Sequence, residues 1–299
     1  MLDYIHLGKS IYNMDNPKEV RRCVVFVVRC LLNNGRMKRL YQFFNSDSLF
    51  CQISKTYPFV YEQPTRAFFY NKSTFDERAK LVEQHMDFMK KHFKEEVFLG
   101  IYNGQVYPLW ESQDDGGHLR FELSYNPGQR KEGILSVVLR LDEYYLYQMM
   151  IWIAPDKKEE WSLWVGAMQG PNMDNAKDVV KKVTRRCHSY RTKNFILHAT
   201  QEVAKALGLK HIYAVTNYGY YANNHIRTDR KLKTSFTDFW EESGGKACDD
   251  KRFYELPMTE YRKTMEEIPT RKRNNYRKRY VLLDEVDEAI AKQVNKLLK

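Results

Sequence analysis

The chain has 299 residues, of which 43% are hydrophobic and 29% charged, and its formal net charge is +11. This balance is typical of a globular protein with a substantial core and excludes a disordered chain. The cysteines are scattered singly without a Cys-x-x-Cys pair, which argues against a disulfide framework and a structural zinc site. No spacing of histidines and carboxylates indicates a metal ligand set either, so the sequence predicts no metal centre.

The cellular compartment is predicted from the N-terminal segment and from the most apolar run of the chain. The N-terminal residues lack a basic segment followed by an apolar one, which is the pattern of a secretory signal. The apolar run at residues 23–32 contains Arg29 and is shorter than the roughly 20 apolar residues that span a bilayer. The sequence therefore predicts a cytoplasmic protein, with peripheral contact to the inner membrane left open.

Helical patterns dominate the first third of the chain. Residues 17–44 are predicted to be helical, with Asn16 as N-cap, Pro17 at the first helical position and a break into two helices at Asn33-Asn34-Gly35. A second helix is predicted at residues 74–93 from its apolar spacing. We expect a helical N-terminal region at residues 1–73 and a core domain at residues 74–299, joined in one continuous structure.

The pattern then changes to strands. Four segments either alternate or are rich in apolar and aromatic residues, at residues 119–125, 133–141, 144–153 and 161–168. The connections between them are a few residues long, which predicts an antiparallel meander.

Helices and strands mix in the last part of the chain. The predicted order is a basic connector at residues 177–193, a helix at 194–207, a strand at 211–216, a short helix at 236–242, a strand at 252–256 and a helix at 270–298. The whole chain therefore predicts an α+β fold, with a mixed, mainly antiparallel sheet flanked by helices and a long C-terminal helix.

The positive charge is clustered in three runs. Residues 177–193 hold seven basic residues and one acid, residues 271–279 hold six basic residues and no acid, and residues 227–233 hold four basic residues and one acid. Clustered positive charge favours anionic partners such as phosphates, acidic lipid headgroups or nucleic acid. The alternative is a solvated basic face without a ligand.

Several blocks resemble one bacterial family. They are WVGAMQGP at residues 164–171, VTRRCHSYRTK at 183–193, ILHATQEVAKALGLKHIYAVTN at 196–217, KLKTSFTDFWEESGG at 231–245 and EIPTRKRNNYRKRYVLLDE at 267–285. In this order they resemble the VirK/YbjX family. The resemblance implies a link to virulence, to envelope remodelling and to resistance to antimicrobial peptides in Gram-negative bacteria, without supplying a molecular activity.

The order of elements also resembles the GCN5-related N-acyltransferases. That resemblance implies an acyl-CoA or acyl carrier protein thioester, whose phosphates would lie at a strand end and at the N-terminus of the next helix. The implied cofactor-binding residues are Gln169, Gly170, Arg191, Lys193 and Asn194. The acyltransferase signature Gln/Arg-x-x-Gly-x-Gly/Ala is absent, and the connector is about 20 residues longer than in those enzymes.

Two polar residues are candidate catalytic groups. His188 lies among arginines, which would lower its pKa and suit it to act as a general base; the alternative is an exposed loop histidine. Asn217 ends a predicted strand, where polar side chains commonly bind ligands; the alternative is that it caps a turn.

Three functions are consistent with these patterns. The first is an acyltransferase-like enzyme that uses an acyl thioester donor, and the second is a non-catalytic module that binds anionic lipid or phosphate groups through the basic runs. Nucleic acid is the least favoured partner, because no known nucleic-acid motif accompanies the basic residues.

Overall fold

The structure is a computed structural model that describes residues 3–224 and 235–299. Its first part is helical, with α1 at Tyr4–Ile11, α2 at Pro17–Leu32, α3 at Asn34–Asn45, α4 at Ser48–Thr56 and α5 at Phe59–Glu62. The Asn16 side chain accepts a hydrogen bond from the Lys18 backbone N–H at 3.0 Å, and Pro17 is the first helical residue. The predicted cap is therefore confirmed, and so is the predicted break, at Asn33.

Two more helices precede the sheet, α6 at Phe75–His92 and α7 at Glu95–Tyr102. Helix α6 confirms the prediction for residues 74–93. It begins with a capping box, in which Thr74 Oγ1 accepts from the Glu77 N–H at 3.2 Å and the Glu77 carboxylate accepts from the Thr74 N–H at 2.7 Å. Both bonds satisfy N–H groups that a helix start otherwise leaves unpaired.

The described residues form one eight-stranded sheet in the order β1-β2-β3-β4-β5-β6-β8-β7. The strands are β1 at Tyr107–Asp114, β2 at Gly117–Ser124, β3 at Leu135–Leu141, β4 at Tyr144–Pro155, β5 at Trp161–Gln169, β6 at His211–Val215, β7 at Lys246–Ala247 and β8 at Phe253–Leu256. Of the strands within residues 3–224 and 235–299, only β5 and β6 are parallel neighbours. The prediction of an α+β fold with a mixed, mainly antiparallel sheet is confirmed.

Strands β2 to β5 form the predicted meander, but β1 was missed. Strand β1 buries only Leu109 and Trp110, and a register shift follows Pro108, so its sequence shows little alternation. The Asp114-Asp115-Gly116-Gly117 segment forms the turn between β1 and β2.

The prediction that residues 177–193 are a plain connector is wrong, because they contain helix α8 at Ala176–Arg186. Val183 is the one fully buried residue of α8, and Val179 packs partly against the core. Because most of its other residues are basic or polar, this narrow apolar stripe gives only a weak helical pattern in the sequence. Helix α9 follows at Thr192–Ala206, close to its predicted range. Gly208 has a φ of 69°, the left-handed conformation expected after the end of a helix.

Helices α10 at Phe236–Glu242 and α11 at Thr270–Leu297 match their predicted ranges. The four-residue spacing of Tyr276 and Tyr280 on α11 predicts two rings that point into the core, but both are only half-buried. Each ring instead lies against an arginine: Arg279 is 4.2 Å from the centroid of Tyr276, and Arg262 is 5.7 Å from that of Tyr280. Helix α11 packs on α9 and β1.

The helical segment before Thr74 is joined to the sheet by polar contacts. The Phe69 N–H donates to the Lys131 carbonyl at 2.7 Å, and the Arg130 guanidinium contacts the buried Glu62 carboxylate at 2.6 Å. Within the described ranges no helix has both the length and the apolar character needed to cross a bilayer. The basic run at residues 227–233 lies outside the described residues.

Candidate functional site

The two described basic runs meet in the fold. Residues 187–191 link α8 to α9, and both His188 and Ser189 have left-handed φ angles, 52° and 61°. This conformation turns the His188 carbonyl toward α11, where it accepts hydrogen bonds from Asn275 Nδ2 at 2.8 Å and Arg279 Nη2 at 2.9 Å. The end of the first run is thus fixed to the beginning of the second.

A cavity of about 700 Å³ lies beside this junction, and we call it the basic cavity. Its lining residues come from the loop, α9, α10, the segment before α11, and α11 itself: Ser189, Tyr190, Arg191, Asn194, Glu242, Glu260, Lys272, Asn275, Tyr276 and Arg279. A smaller cavity of about 260 Å³ shares Tyr190, Asn194, Glu242 and Glu260 with it. The basic cavity has the volume of a small-molecule site.

The acidic residues of the basic cavity already have partners. Glu242 contacts Lys193 at 3.0 Å and Arg191 at 3.7 Å, and these two cations lower the pKa of its carboxyl. The Glu260 carboxylate accepts a hydrogen bond from the Tyr190 hydroxyl. Burial and this neighbouring carboxylate raise the pKa of Tyr190, so the phenol stays protonated at neutral pH.

The cations of the basic cavity are less fully paired. Lys272 forms no ion pair with a carboxylate among residues 3–224 and 235–299. Arg279 directs Nε and Nη2 to the His188 carbonyl, and its guanidinium lies over the rings of Tyr276 and Tyr190. Asn194 Oδ1 is buried and has no hydrogen-bond partner among the described atoms. A donor or an ordered water is therefore expected at this oxygen.

His188 contributes mainly through its backbone in this structure. Partial burial, and then the positive charges of Lys278 and Arg279, lower the pKa of its imidazole, so the ring is neutral at pH 7. The predicted direction of the shift agrees, although burial is the largest cause. The basic cavity does not include His188 among its described lining residues. Its assignment as a catalytic base remains a prediction.

Asn217 lies at the end of β6 and caps helix α10. Its Oδ1 accepts from the Phe236 N–H at 2.7 Å, and its Nδ2 donates to Ser235 Oγ at 2.9 Å. Ser235 is the N-cap of α10, and its Oγ accepts from the Asp238 N–H at 3.2 Å. Both polar atoms of the Asn217 amide are thus engaged, and its catalytic assignment also remains a prediction.

Gln169 and Gly170 end β5 where the sheet opens. Strand β6 pairs with β5 only over the positions from Ser162 to Val165, so among the described strands the last part of β5 is paired with β4 alone. Gln169 Nε2 donates to the Glu132 carboxylate at 2.8 Å. A Cβ atom at Gly170 would lie 3.4 Å from the Tyr147 ring.

Tyr147 relates this strand end to the start of α9: burial raises the pKa of its phenol, and the neighbouring Thr192 side chain partly offsets this rise in pKa. Gly170 is therefore near the helix start that carries Arg191, Lys193 and Asn194. Gly170 and Thr192 are thus both neighbours of Tyr147. Whether these residues bind a cofactor remains a prediction.

Sequence reasoning missed a buried carboxylate in the same gap. Glu132 is 5% exposed and accepts hydrogen bonds from the Tyr220 hydroxyl at 2.6 Å and from Gln169. Burial raises the pKa of Glu132, partly offset by these two donors. No local pattern marks this residue, since Tyr220 and Gln169 reach it only through the topology of the sheet.

Comparison with known proteins gives the family. The model of a family described as a protein of unknown function, DUF535, matches residues 15–292. An uncharacterized protein of Haemophilus influenzae is 24% identical over 304 residues, which cover 96% of this chain and 94% of that protein. The uncharacterized protein YbjX of Escherichia coli K12 is 27% identical over 59% of this chain and 54% of its own length.

A shorter match is to a protein named membrane protein LapB from Mannheimia haemolytica, 25% identical over 40% of this chain and 53% of that protein. No solved structure matches the chain. Because the family model covers most of the sequence, the resemblance seen in the sequence blocks is confirmed. This chain belongs to the DUF535 family, the family of YbjX and VirK.

Proposed function

We propose that the protein binds a phosphate-bearing anionic ligand in the basic cavity and acts at the cell envelope from the cytoplasmic side. The observation that carries the proposal is the convergence of two basic runs, distant in sequence, at the His188 carbonyl. The likeness to YbjX and to a protein named as a membrane protein supports an envelope role.

The charges around the basic cavity favour an anion. Lys272 has no carboxylate partner among the described residues, and its ammonium is a strong phosphate ligand. Arg191 is 66% exposed in its side chain, and its contact with Glu242 at 3.7 Å is weak. A ligand with a phosphate group would supply the missing negative charge.

Arg279 supports the same inference through its orientation. Its guanidinium lies 4.2 Å from the Tyr276 ring centroid and 5.5 Å from that of Tyr190. Two aromatic faces and the His188 carbonyl limit the conformations of the side chain, so binding would cost little further entropy. A fixed, planar guanidinium is well suited to phosphate oxygens.

The phosphate could belong to a soluble molecule or to an acidic lipid, and two titrations separate them. One uses inorganic pyrophosphate, and the other uses vesicles of phosphatidylglycerol with phosphatidylcholine, each at two salt concentrations. Binding to vesicles alone identifies a lipid headgroup, and binding to pyrophosphate identifies a soluble ligand. In both cases affinity should fall as salt rises, because exposed charges are screened within about 10 Å at 0.1 M.

Matched lysine variants locate the contact. Lys272→Ala removes a cavity cation, whereas Lys292→Ala removes an exposed cation from the same helix away from the cavity. We expect Lys272→Ala to weaken binding about fivefold, the effect of roughly 1 kcal/mol for one basic residue near an anionic surface. Equal effects of the two substitutions, or no binding of either probe, would exclude the basic cavity as the site.

A second candidate function is an acyltransferase that uses an acyl-CoA or acyl carrier protein thioester. It is favoured by the parallel pair β5 and β6, which is hydrogen-bonded at one end and open at Gln169. In this proposal the start of α9, with Lys193 and Asn194, binds the donor phosphates, and the neutral imidazole of His188 accepts a proton from the substrate.

Asn217 would contribute to this chemistry only by leaving its cap on α10. Calorimetry with acyl-CoA and with acylated acyl carrier protein tests the proposal on a sample whose folding is verified by circular dichroism. Saturable binding of either donor supports it. The absence of binding to both removes it and leaves the anion-binding proposal intact.

A further inference from the structure

We infer that the protein has a divalent-metal site, at the opposite end of strand β5 from Gln169, formed by His211, Asp156 and Glu160. One ligand atom from each of these three side chains lies within 4.8 Å of those of the other two. The three residues are half-buried or at the limit of burial, so the site remains accessible to an ion and to water. Nitrogen and carboxylate oxygen are suitable ligands for Zn²⁺ and Mn²⁺.

The fold fixes all three ligands. Asp156 and Glu160 lie in the turn between β4 and β5, where Asp156 Oδ1 accepts from the Lys158 N–H at 2.8 Å and the Glu160 N–H at 3.0 Å. His211 begins β6, which is paired in parallel register with Ser162 of β5. The turn and the strand start are therefore held side by side by the sheet itself.

The surroundings orient the ligands as metal sites commonly do. His211 Nδ1 lies 2.7 Å from the Glu255 carboxylate, whereas Nε2 points toward Glu160 at 3.1 Å. Metal-binding histidines usually donate the second ring N–H to a carboxylate, which fixes the ring and increases its basicity. The Tyr213 hydroxyl donates to Asp156 Oδ2 at 3.0 Å and orients that carboxylate too.

The charge balance distinguishes this cluster from a second one. In the described part of the chain, neither Asp156 nor Glu160 forms an ion pair with a lysine or an arginine. The other cluster consists of His198, Glu202 and Asp287. There Arg262 contacts Asp287 at 3.0 Å and Lys205 contacts Glu202 at 2.5 Å. A metal ion would have to displace these cations, so we assign the site to His211.

A cavity of about 320 Å³ adjoins the cluster at Asp156, which is one of its lining residues. The cavity has aromatic walls, with the rings of Trp152 and Trp164 stacked 6.1 Å apart and Tyr70 beside Trp152. Three protein ligands would leave at least one position for water or for a ligand in this cavity.

Isothermal titration with Zn²⁺ and with Mn²⁺ tests the site on chelator-treated protein. We expect one ion per chain for the wild type and a loss of this binding in His211→Asn and Glu160→Gln. Glu255→Gln, which removes only the partner of Nδ1, should weaken binding about 10- to 100-fold. The control is Glu111→Gln, which alters an exposed His118–Glu111 pair and should leave binding unchanged.

Folding and site location are checked separately. Far-UV circular dichroism and urea unfolding of each variant show whether a loss of binding reflects a loss of structure. Glu160→Gln is nearly isosteric and serves as the deciding variant if His211→Asn fails to fold. The inference is wrong if the wild type binds neither ion, or if folded Glu160→Gln binds as tightly as the wild type.

Discussion

The His188 carbonyl accepts hydrogen bonds from Arg279 Nε at 3.2 Å and Nη2 at 2.9 Å, so one backbone oxygen connects the α8–α9 loop to α11. The left-handed φ of His188 directs the carbonyl to this position. The contact holds the two basic runs, at residues 177–193 and 271–279, next to each other. It also fixes one wall of the basic cavity. The stability of this loop and the anion affinity of the cavity should therefore depend on the same arginine.

Arg279→Ala should destabilise the protein. It removes two hydrogen bonds from a charged donor to the His188 carbonyl, and bonds of this kind contribute about 1.5–3 kcal/mol each to stability. Since Arg279 is only partly buried, we expect a total loss of about 1.5–3 kcal/mol in the free energy of unfolding, measured in urea. Arg277→Ala, at an exposed neighbour, is the control and should change it by less than about 0.5 kcal/mol. Equal stability of the two variants would show that the contact is unimportant.

The elements predicted well from the sequence are those with local signals. The Asn16 and Ser235 side chains each accept a hydrogen bond from a helix N–H two or three residues later, Pro17 has no N–H that needs a partner, and the observed helices begin there. The acyltransferase likeness was inferred from the order of elements alone and is not supported by any matching solved structure. Strand β1 and helix α8 were missed because each buries few residues.

The candidate site was predicted only in part, for a related reason. Positive charge is a local property, so the runs that contain Arg191 and Lys272 were visible in the sequence. The acidic residues Glu242 and Glu260 line the basic cavity because distant segments pack together. The spacing of residues along the sequence does not predict such contacts. The cluster that contains Asp156 and His211 was not predicted from the sequence either. Its residues come together only through the parallel pairing of β5 and β6.

Glu62→Gln should strongly destabilise the protein. Glu62 is fully buried and contacts Arg130 at 2.6 Å and Arg66 at 3.2 Å. Neutralising the carboxylate leaves buried positive charge without compensation, at a cost of about 3–5 kcal/mol in the free energy of unfolding. Glu143→Gln, which alters an exposed contact with Arg140 at 3.1 Å, should cost at most about 1 kcal/mol. Urea unfolding measures both, and a loss below about 1 kcal/mol for Glu62→Gln would contradict the assigned role.

Two glycine substitutions should act in opposite directions. A Cβ atom at Gly166 would lie 1.8 Å from the Glu132 carbonyl oxygen, so Gly166→Ala forces a backbone shift in the gap beside β5. We expect a loss of at least about 1–3 kcal/mol, as for other overpacked sites. At Gly35 in α3, such a Cβ would meet no described atom within 4 Å apart from its chain neighbours and the backbone of its own helix. Gly35→Ala should therefore stabilise by about 0.4–1 kcal/mol. Thermal unfolding distinguishes the two outcomes. If Gly166→Ala leaves the stability unchanged, the backbone around Gly166 and Glu132 accommodates the added methyl group without cost.

His85 should make the protein less stable in mild acid. The ring is fully buried, its Nδ1 accepts from the Ile153 N–H at 3.0 Å, and its Nε2 lies 2.8 Å from the Tyr102 hydroxyl. Because Nδ1 is an acceptor, the proton of the neutral ring is on Nε2, which donates to Tyr102. Burial lowers the pKa of His85 from 6.5 to about 3. Protonation of the folded state would also place an N–H against the Ile153 N–H.

The sign of the pH effect follows from which state binds the proton. Between pH 6.5 and about 3 the unfolded chain protonates at this histidine and the folded protein does not, so stability falls as pH falls through that window and is fully present above it. From pH 6.5 to pH 5 the contribution of His85 should decrease by about 1.5 kcal/mol. Urea unfolding of the wild type and of His85→Gln at several pH values isolates this contribution, because the other titrating groups are common to both. We expect the variant to be less stable at pH 7 but to lose less stability on acidification, and parallel curves would show that His85 is protonated equally in both states.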